Sequence, residues 1–303
     1  MRALVTGANG FVGTHLVSHL RVCGDDVVES AVDITDRDRL AEHVAHHRPE
    51  VVYHLAAQAD VGGSWADPIP TLRVNVEGTV NLLDASVAAG VRRVLAVTSA
   101  DIYGPVVEAD LPLTEDQPVR PVSPYAASKA SADLMCVAAG LAHGLEVVRA
   151  RSFNHLGPGQ NDKFVASAIA SRIVDNERSG ETAVRVGNLE ARRDFTDVRD
   201  VVRAYRSLVT DGVPGEVYHV CSGVDRPIRE LAEMLISISG HEMDLVVDPE
   251  LFRPVDLKVL RGDHSKLRAA TGWTPEIDIR TTLSDLLQFW RTHPEGVGSP
   301  AIT

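Results

Sequence analysis

Tyr125 and Lys129 stand four residues apart in the run Tyr125-Ala-Ala-Ser-Lys129. On a helix that spacing puts both side chains on one face, about 5–6 Å apart at Cβ. A phenol titrates near 10, and an ammonium beside it favours the phenolate and lowers that value. A tyrosine tuned in this way exchanges a proton with a hydroxyl or carbonyl oxygen of a bound substrate. Alone, the pair would equally suit a solvated helix face, so its meaning depends on its company. That company begins at Thr6-Gly-Ala-Asn-Gly-Phe-Val-Gly13, where Gly7, Gly10 and Gly13 follow a first apolar run and open a helical pattern. Glycines there let the chain turn sharply and let a pyrophosphate approach the backbone N–H groups of a helix N-terminus. A third group, Thr98-Ser-Ala-Asp-Ile-Tyr-Gly104, falls at the end of an expected strand. Ser99 there can hydrogen-bond a substrate oxygen beside Tyr125. Asp101 brings the nearby carboxylate, although a turn-forming role is its plain alternative.

These groups need a scaffold that delivers them to one place. Short β-branched runs at residues 2–6, 26–29, 50–55, 92–98 and 145–151 alternate with helical patterns at 11–22, 36–47, 72–89 and 125–141. Strand and helix alternating at this interval predict βαβ units, a doubly wound parallel sheet of Rossmann type, and ligand binding at the carboxyl ends of the strands. Beyond Arg151 the loops lengthen and Gly157-Pro-Gly159 interrupts the pattern. The expected division is a nucleotide-binding part at 1–151 and a smaller, interwoven α/β substrate part at 152–303. Segments within 182–221 are expected to return in part to the first, and residues 294–303 to form a loose tail.

Composition excludes several alternatives. Thirty Lys and Arg against 42 Asp and Glu leave a net charge of −12, which disfavours nucleic acid and anionic membranes as partners. An anionic ligand must be held by a local cation cluster, and with only four lysines that cluster is mostly arginine. Cys23, Cys136 and Cys221 form no CxxC pair and fit a reducing compartment. The break at Gly7-Ala-Asn-Gly10 comes too early for a leader's apolar core, and no apolar run nears the roughly 18 residues of a membrane span. A cytoplasmic protein is expected. Among twelve histidines, His15 with His19 and the group His43, His46 and His47 lack any HExxH-type pattern; they are expected at the surface, with no metal.

Together these motifs resemble the extended short-chain dehydrogenase/reductase family, whose glycine spacing is GxxGxxG. His54-Leu-Ala-Ala-Gln58, Asn75-Val-Glu-Gly-Thr79, Ser123-Pro-Tyr-Ala126 and Arg151-Ser-Phe-Asn-His-Leu-Gly-Pro158 are similar to its nucleotide-sugar enzymes. Gly187-Asn-Leu-Glu-Ala-Arg-Arg-Asp-Phe195, Phe252-Arg-Pro-Val-Asp256 and Gly272-Trp-Thr-Pro275 resemble the GDP-mannose branch. The resemblance implies NAD(H) or NADP(H) as cofactor, a GDP-sugar as substrate and a homodimer through the helices at 72–89 and 125–141. It implies catalysis by Ser99, Tyr125 and Lys129 with Asp101 assisting, and a cofactor lined by Gly7, Gly10, Phe11, Val12, Gly13, Asp33, Ile34, Leu55, Ala56 and Ala57, with Tyr125 and Lys129. It assigns the GDP part to Asn154, Arg193, Arg253 and Asp256, with Arg192, Arg193 and Arg253 as the cation cluster.

Two activities of that branch compete: 4,6-dehydration of GDP-mannose, and reduction of GDP-4-keto-6-deoxy-mannose to GDP-D-rhamnose. The dehydratases carry Glu where this chain has Asp101, a hydroxyl residue where it has Ala100, Lys where it has Ala168, and a long basic insertion where it has only residues 30–33. The run from Phe153 to Phe164 is close to the reductases, so reduction is expected. A C4 epimerase and a non-catalytic nucleotide sensor rank below; sensors of this fold commonly lose the Tyr or the Lys. The second strand ends Val27-Val-Glu-Ser30 without a cation for a 2′-phosphate, which leans the cofactor towards NAD(H).

Overall fold

The computed structural model describes residues 1–252 and 255–293; the expected loose tail and Arg253 lie outside them. The N-terminal part runs β1 (Arg2–Thr6), α1 (Phe11–Val22), β2 (Asp26–Ser30), α2 (Arg37–His47), β3 (Val51–His54), α3 (Gly63–Ala66), α4 (Pro68–Leu72), α5 (Gly78–Ala89), β4 (Arg93–Ser99), α6 (Pro124–His143) and β5 (Glu146–Ser152). These strands form a parallel sheet in the order β2-β1-β3-β4-β5, completed at the β5 edge by β9 (Val217–Val220). The order reverses direction between β1 and β3, and ligands of such sheets bind at that crevice, outside the carboxyl ends of the strands.

Buried strands alternate between two cores. Ala3, Val5, Val51, Tyr53, Leu95, Val148 and Ala150 face one side, where Leu16, Val17 and Leu20 of α1 pack. Leu4, Val52, Val94, Ala96 and Val147 face the other, beneath Leu40 and Val44 of α2, Leu82 and Leu83 of α5, and Cys136 of α6. Each such side chain contributes roughly 1.5–3 kcal/mol when fully buried. The carboxyl edge of the sheet therefore rests on helices on both faces.

One expected helix differs. The pattern over 72–89 begins at Pro68, where proline at a first turn forfeits no hydrogen bond. Between Arg73 and Glu77 it widens into a π turn, a distortion found mostly at functional sites. The wider turn carries Asn75, whose side chain is buried and bonded to neighbouring elements.

After β5 the chain runs β6 (Asn154–Leu156), α7 (Val165–Ser179), β7 (Ala183–Val186), β8 (Arg192–Asp197), α8 (Val198–Asp211), β9 (Val217–Val220), β10 (Asp225–Pro227), α9 (Ile228–Ser239), β11 (Asp244–Val247), β12 (Val259–Leu260), α10 (Ser265–Thr271) and α11 (Ile279–Thr292). Helix α8 packs Val201, Val202, Tyr205 and Leu208 into the α1 side of the large sheet, and β9 extends its edge. The remainder gathers around β8, which pairs with β6, β10 and β12, while β7 pairs with β11. Helices α7, α9 and α11 bury Ile169, Ile173, Leu231, Leu235, Leu283 and Leu287 in a core of their own.

Candidate active site

At the switch point, bare backbone is enforced by crowding. Gly7 has φ +69, and a Cβ on it would lie 2.8 Å from the Ala56 nitrogen. A Cβ on Gly13 would lie 2.1 Å from the Gly7 carbonyl oxygen. Gly10 caps α1, whose first turn carries no acidic residue, so its N–H groups and positive dipole end remain available to an anion. Phe11 stacks on His155 with ring centroids 6.1 Å apart, and Val12 packs against the α1 core. The expected cofactor-lining residues after β2 are also fixed: the Asp33 carboxylate accepts from the Thr35 N–H at 2.8 Å, and the Ile34 carbonyl accepts from Asn81 at 3.0 Å. Leu55, Ala56 and Ala57 follow directly on β3, with the Leu55 and Ala56 N–H groups held by Thr6. Ser30, at the carboxyl end of β2, has a buried hydroxyl with no hydrogen-bond partner among the described residues. A glycine cradle beside an orphaned hydroxyl at the next strand end fits a dinucleotide.

The expected catalytic trio meets at the carboxyl end of β4. Ser99 is its last residue, and its Oγ accepts from the Asp101 N–H at 3.2 Å. Helix α6 begins at Pro124 with a Ser123 cap that accepts from the Ala126 N–H at 3.1 Å. Its first turns aim Tyr125 and Lys129 inward; both are buried. Ser99 and the Asp101 charge both act on the Tyr125 phenol. Lys129 Nζ donates to the Val97 carbonyl at 3.1 Å.

Here the expected tuning is corrected. The Tyr–Lys spacing predicts a lowered phenol pKa, but burial pushes Tyr125 up, Asp101 pushes it further, and Ser99 opposes them. Burial also brings the Lys129 amine down to about 8. Desolvation disfavours both charged forms. Tyr125 is consequently a neutral phenol at pH 7, a state suited to giving a proton.

Several supporting residues received no role from the motifs. Asp133, one turn past Lys129 on the same face, accepts from Arg149 at 2.7 Å, from Arg151 at 3.1 Å and from Thr98 at 3.2 Å. Burial raises its carboxyl, but Arg151 and Arg149 outweigh that and hold it below the usual range. Arg151 continues to the Tyr103 hydroxyl at 2.8 Å, which contacts His219 Nε2 at 2.6 Å. Continuing the i+4 step from Tyr125 through Lys129 would have pointed to Asp133; nothing local points to Arg151.

On the opposite side, Asn154 is exposed on β6, beside Phe195 of β8. Arg193 is buried and donates to Asp256 at 2.7 Å, and Asn188 donates to the other Asp256 oxygen at 2.7 Å. The expected cluster of Arg192 with Arg193 is not formed. Neighbours on a strand point to opposite faces, and Arg192 turns to the buried Asp225 at 2.5 Å, which Arg261 also reaches at 3.2 Å. Histidines depart from the surface expectation too: His15 is half-buried with its Nε2 2.8 Å from the Pro158 carbonyl oxygen, so it ties α1 to the loop after β6.

A doubly wound parallel sheet, a glycine cradle at its switch point and a Ser–Tyr–Lys trio beside it define a short-chain dehydrogenase/reductase of the extended kind. The family described as GDP-mannose 4,6 dehydratase matches residues 27–286, and the chain belongs to that family. It is 41% identical to the GDP-6-deoxy-D-mannose reductase of Pseudomonas aeruginosa, over 96% of this chain and 97% of that one. It is 32% identical to the UDP-glucose 4-epimerase of Mycolicibacterium smegmatis, over 96% and 99%. The solved structure of RMD from Pseudomonas aeruginosa complexed with NADPH superposes with a TM-score of 0.90 at 38% identity, over 97% of this chain and 100% of that one.

Proposed function

We propose that the chain is an NAD(P)H-dependent reductase that converts GDP-4-keto-6-deoxy-mannose to GDP-D-rhamnose, which is GDP-6-deoxy-D-mannose. The observation that carries this reading is Tyr125, a phenol buried at the start of α6 beside Ser99, with burial pushing its pKa up. A ketone being reduced needs a proton donor at its oxygen. Likeness over nearly the full length to a GDP-6-deoxy-D-mannose reductase supports the same substrate.

Gly7, Gly10, Phe11, Val12, Gly13, Asp33, Ile34, Leu55, Ala56 and Ala57 would hold the cofactor, with Lys129 on its ribose. When bound, the reduced nicotinamide supplies the hydride. Ser99 and Tyr125 hydrogen-bond the C4 oxygen, and Tyr125 gives it the phenolic proton as negative charge develops. The Lys129 ammonium favours the phenolate that results. Arg193 forks onto the diphosphate, Asp256 accepts from ribose hydroxyls, and Asn154 and Arg253 complete the GDP site.

A second reading, 4,6-dehydration, draws on Asp101, whose charge reaches Tyr125 and whose carboxylate would serve as the C5 base. Asp is one methylene shorter than Glu, and a base must come within about 2.6–3.2 Å of its proton. The test supplies GDP-mannose with NAD⁺ or NADP⁺ and, separately, the keto sugar with NADH or NADPH. Stoichiometric reduction with little dehydration is expected. Rapid dehydration of GDP-mannose would reverse the ranking and make Asp101 the base.

The assembly proposed is a homodimer. Leu134, Met135 and Leu141 are exposed on α6, and Ile69 and Leu72 are exposed on α4, which packs against it; exposed apolar side chains of this kind suit a subunit contact. Sedimentation should give twice the chain mass, and Leu141→Asp should shift it towards one. The free thiols at Cys23, Cys136 and Cys221 support a cytoplasmic location. No helix of the described residues is long and apolar enough to cross a membrane.

A further inference from the structure

His54, the last residue of β3, is buried between two threonines. Its Nδ1 lies 2.9 Å from Thr6 Oγ1 and its Nε2 3.0 Å from Thr79 Oγ1. The direction of each bond follows from counting protons. The Asn75 carbonyl can only accept, and Thr79 Oγ1 stands 2.7 Å from it; the single Thr79 proton is therefore committed there. Thr79 must accept from His54, which places the ring proton on Nε2. Nδ1 then carries a lone pair, so Thr6 donates to it, while Thr6 Oγ1 accepts from the Ala56 N–H at 3.3 Å. An imidazolium would leave the Thr6 hydroxyl proton without an acceptor. Burial and the neighbouring Lys129 charge work in the same direction, bringing His54 down to about 3.

The chain of bonds joins the two halves of the site. At one end Thr6 precedes Gly7, and Ala56 is the residue that crowds Gly7 in the cradle. At the other, Asn75 holds Gln58 at both backbone groups, at 2.8 Å and 3.1 Å, and donates to Ser128 Oγ at 2.8 Å. Ser128 donates to the Tyr125 carbonyl at 2.7 Å. Each donated proton has its own acceptor, and no link can reverse without orphaning a buried group, which costs about 1–3 kcal/mol.

We propose that His54 is a positioning residue: its fixed Nε2–H tautomer locks the dinucleotide cradle at the end of β1 in register with the helix that carries Tyr125 and Lys129. The kinetic consequence rests on the reductase reading above; the tautomer does not. The first test is ¹⁵N NMR of histidine-labelled protein, with the His54 signals assigned by their loss in His54→Gln. The expected result is a protonated Nε2 and a bare Nδ1, unchanged across neutral pH. A protonated Nδ1 or an imidazolium overturns the proposal. Thr79→Val removes the acceptor and should let the Nδ1–H form appear; an unchanged spectrum also overturns it.

The second test is turnover of the keto sugar with NADPH, beside NADPH affinity from fluorescence titration. His54→Leu should lower kcat by about ten- to a hundredfold, as a shift near 1 Å does. Its KM and NADPH Kd should each move by less than about threefold, because contacts to either ligand remain. His54→Gln keeps one donor and one acceptor and should recover most of the loss. A wild-type kcat in His54→Leu, or equal losses in Leu and Gln, counts against positioning. If His54→Leu does not fold, Thr79→Val takes its place with the same expectations. Wild-type protein that never turns over the keto sugar sinks the reductase reading alone, and the tautomer then decides this proposal.

Discussion

At the glycine cradle of the large sheet, side chains are kept out: Gly7 and Gly13 have no room for a Cβ, and the neighbouring His54 is held between Thr6 and Thr79. Around β8 the opposite holds. Arg193 meets Asp256, Arg192 and Arg261 meet Asp225, and the fully buried Asp194 accepts from Ser222, Gly223 and Gly262. Burial raises Asp194 to about 6 against those hydrogen bonds. On the proposed assignment a cofactor would be bound largely by backbone geometry, which tolerates few sequences. The sugar nucleotide would be met by paired charges, which can be re-paired to suit another substrate. The two regions differ accordingly in what a substitution breaks.

The largest effect should fall where they meet. Tyr125→Phe removes the proton donor and nothing the cradle needs, so kcat should drop by roughly 10²–10⁴ with NAD(P)H affinity intact. A near wild-type rate would remove Tyr125 from the chemistry. On the charged side, Arg193→Ala should weaken GDP-sugar binding by about 2–5 kcal/mol and leave NAD(P)H binding alone. Because Arg193 also neutralises Asp256, adding Asp256→Asn should recover part of that loss in calorimetric titration. No recovery would mean that the pair is not a unit. On the backbone side, Gly13→Ala must displace the Gly7 carbonyl and should cost about 1–3 kcal/mol of stability, along with NAD(P)H affinity. Unchanged GDP affinity in that variant would sharpen the contrast; equal loss of both ligands would break it.

Lys129→Met separates function from stability. The Lys129 amine is brought down to about 8 by burial, so in the folded state it releases its proton more readily than in the unfolded chain. Stability is therefore depressed at neutral pH and recovers as pH rises from about 8 towards the ordinary lysine value. The variant should lose turnover yet gain about 1–2 kcal/mol in urea unfolding at pH 7, and lose the recovery above pH 8. Equal stability of both proteins at every pH would assign Lys129 no burial penalty. The smallest effect concerns cofactor choice. Glu29 is paired with Arg21 at 2.5 Å and partly exposed, so Glu29→Gln should shift the NADH-to-NADPH preference by less than about 1 kcal/mol. Wild-type protein should prefer NADH or accept both; a strong preference for NADPH would overturn that.

Legibility followed the same division. The strands at 26–30 and 93–99, the helix at 124–143 and the Gly–Tyr–Lys motifs could be read because their cause is local: pattern, turn residues and i+4 spacing. The π turn at Arg73–Glu77 could not, since the residues that bond Asn75, Gln58 and Ser128, lie 17 and 53 positions away. Arg192 and Arg193 looked alike in sequence and part company on opposite faces of β8.

By itself, the sequence determined the doubly wound sheet, the cradle, and which tyrosine and lysine share a helix face, because period and spacing survive without knowledge of distant neighbours. Only the tertiary structure decided their electrostatic state. Whether Tyr125 is a phenol or a phenolate depends on how completely water is removed from it, and that is settled by α6 packing its first turns against Ser99 and Asp101 at the end of β4. The partners of Arg193, Asp133 and His54 are likewise 63, 18 and 48 residues distant. Their pairing follows from desolvation, which leaves a buried charge or donor no alternative to the group the fold places beside it.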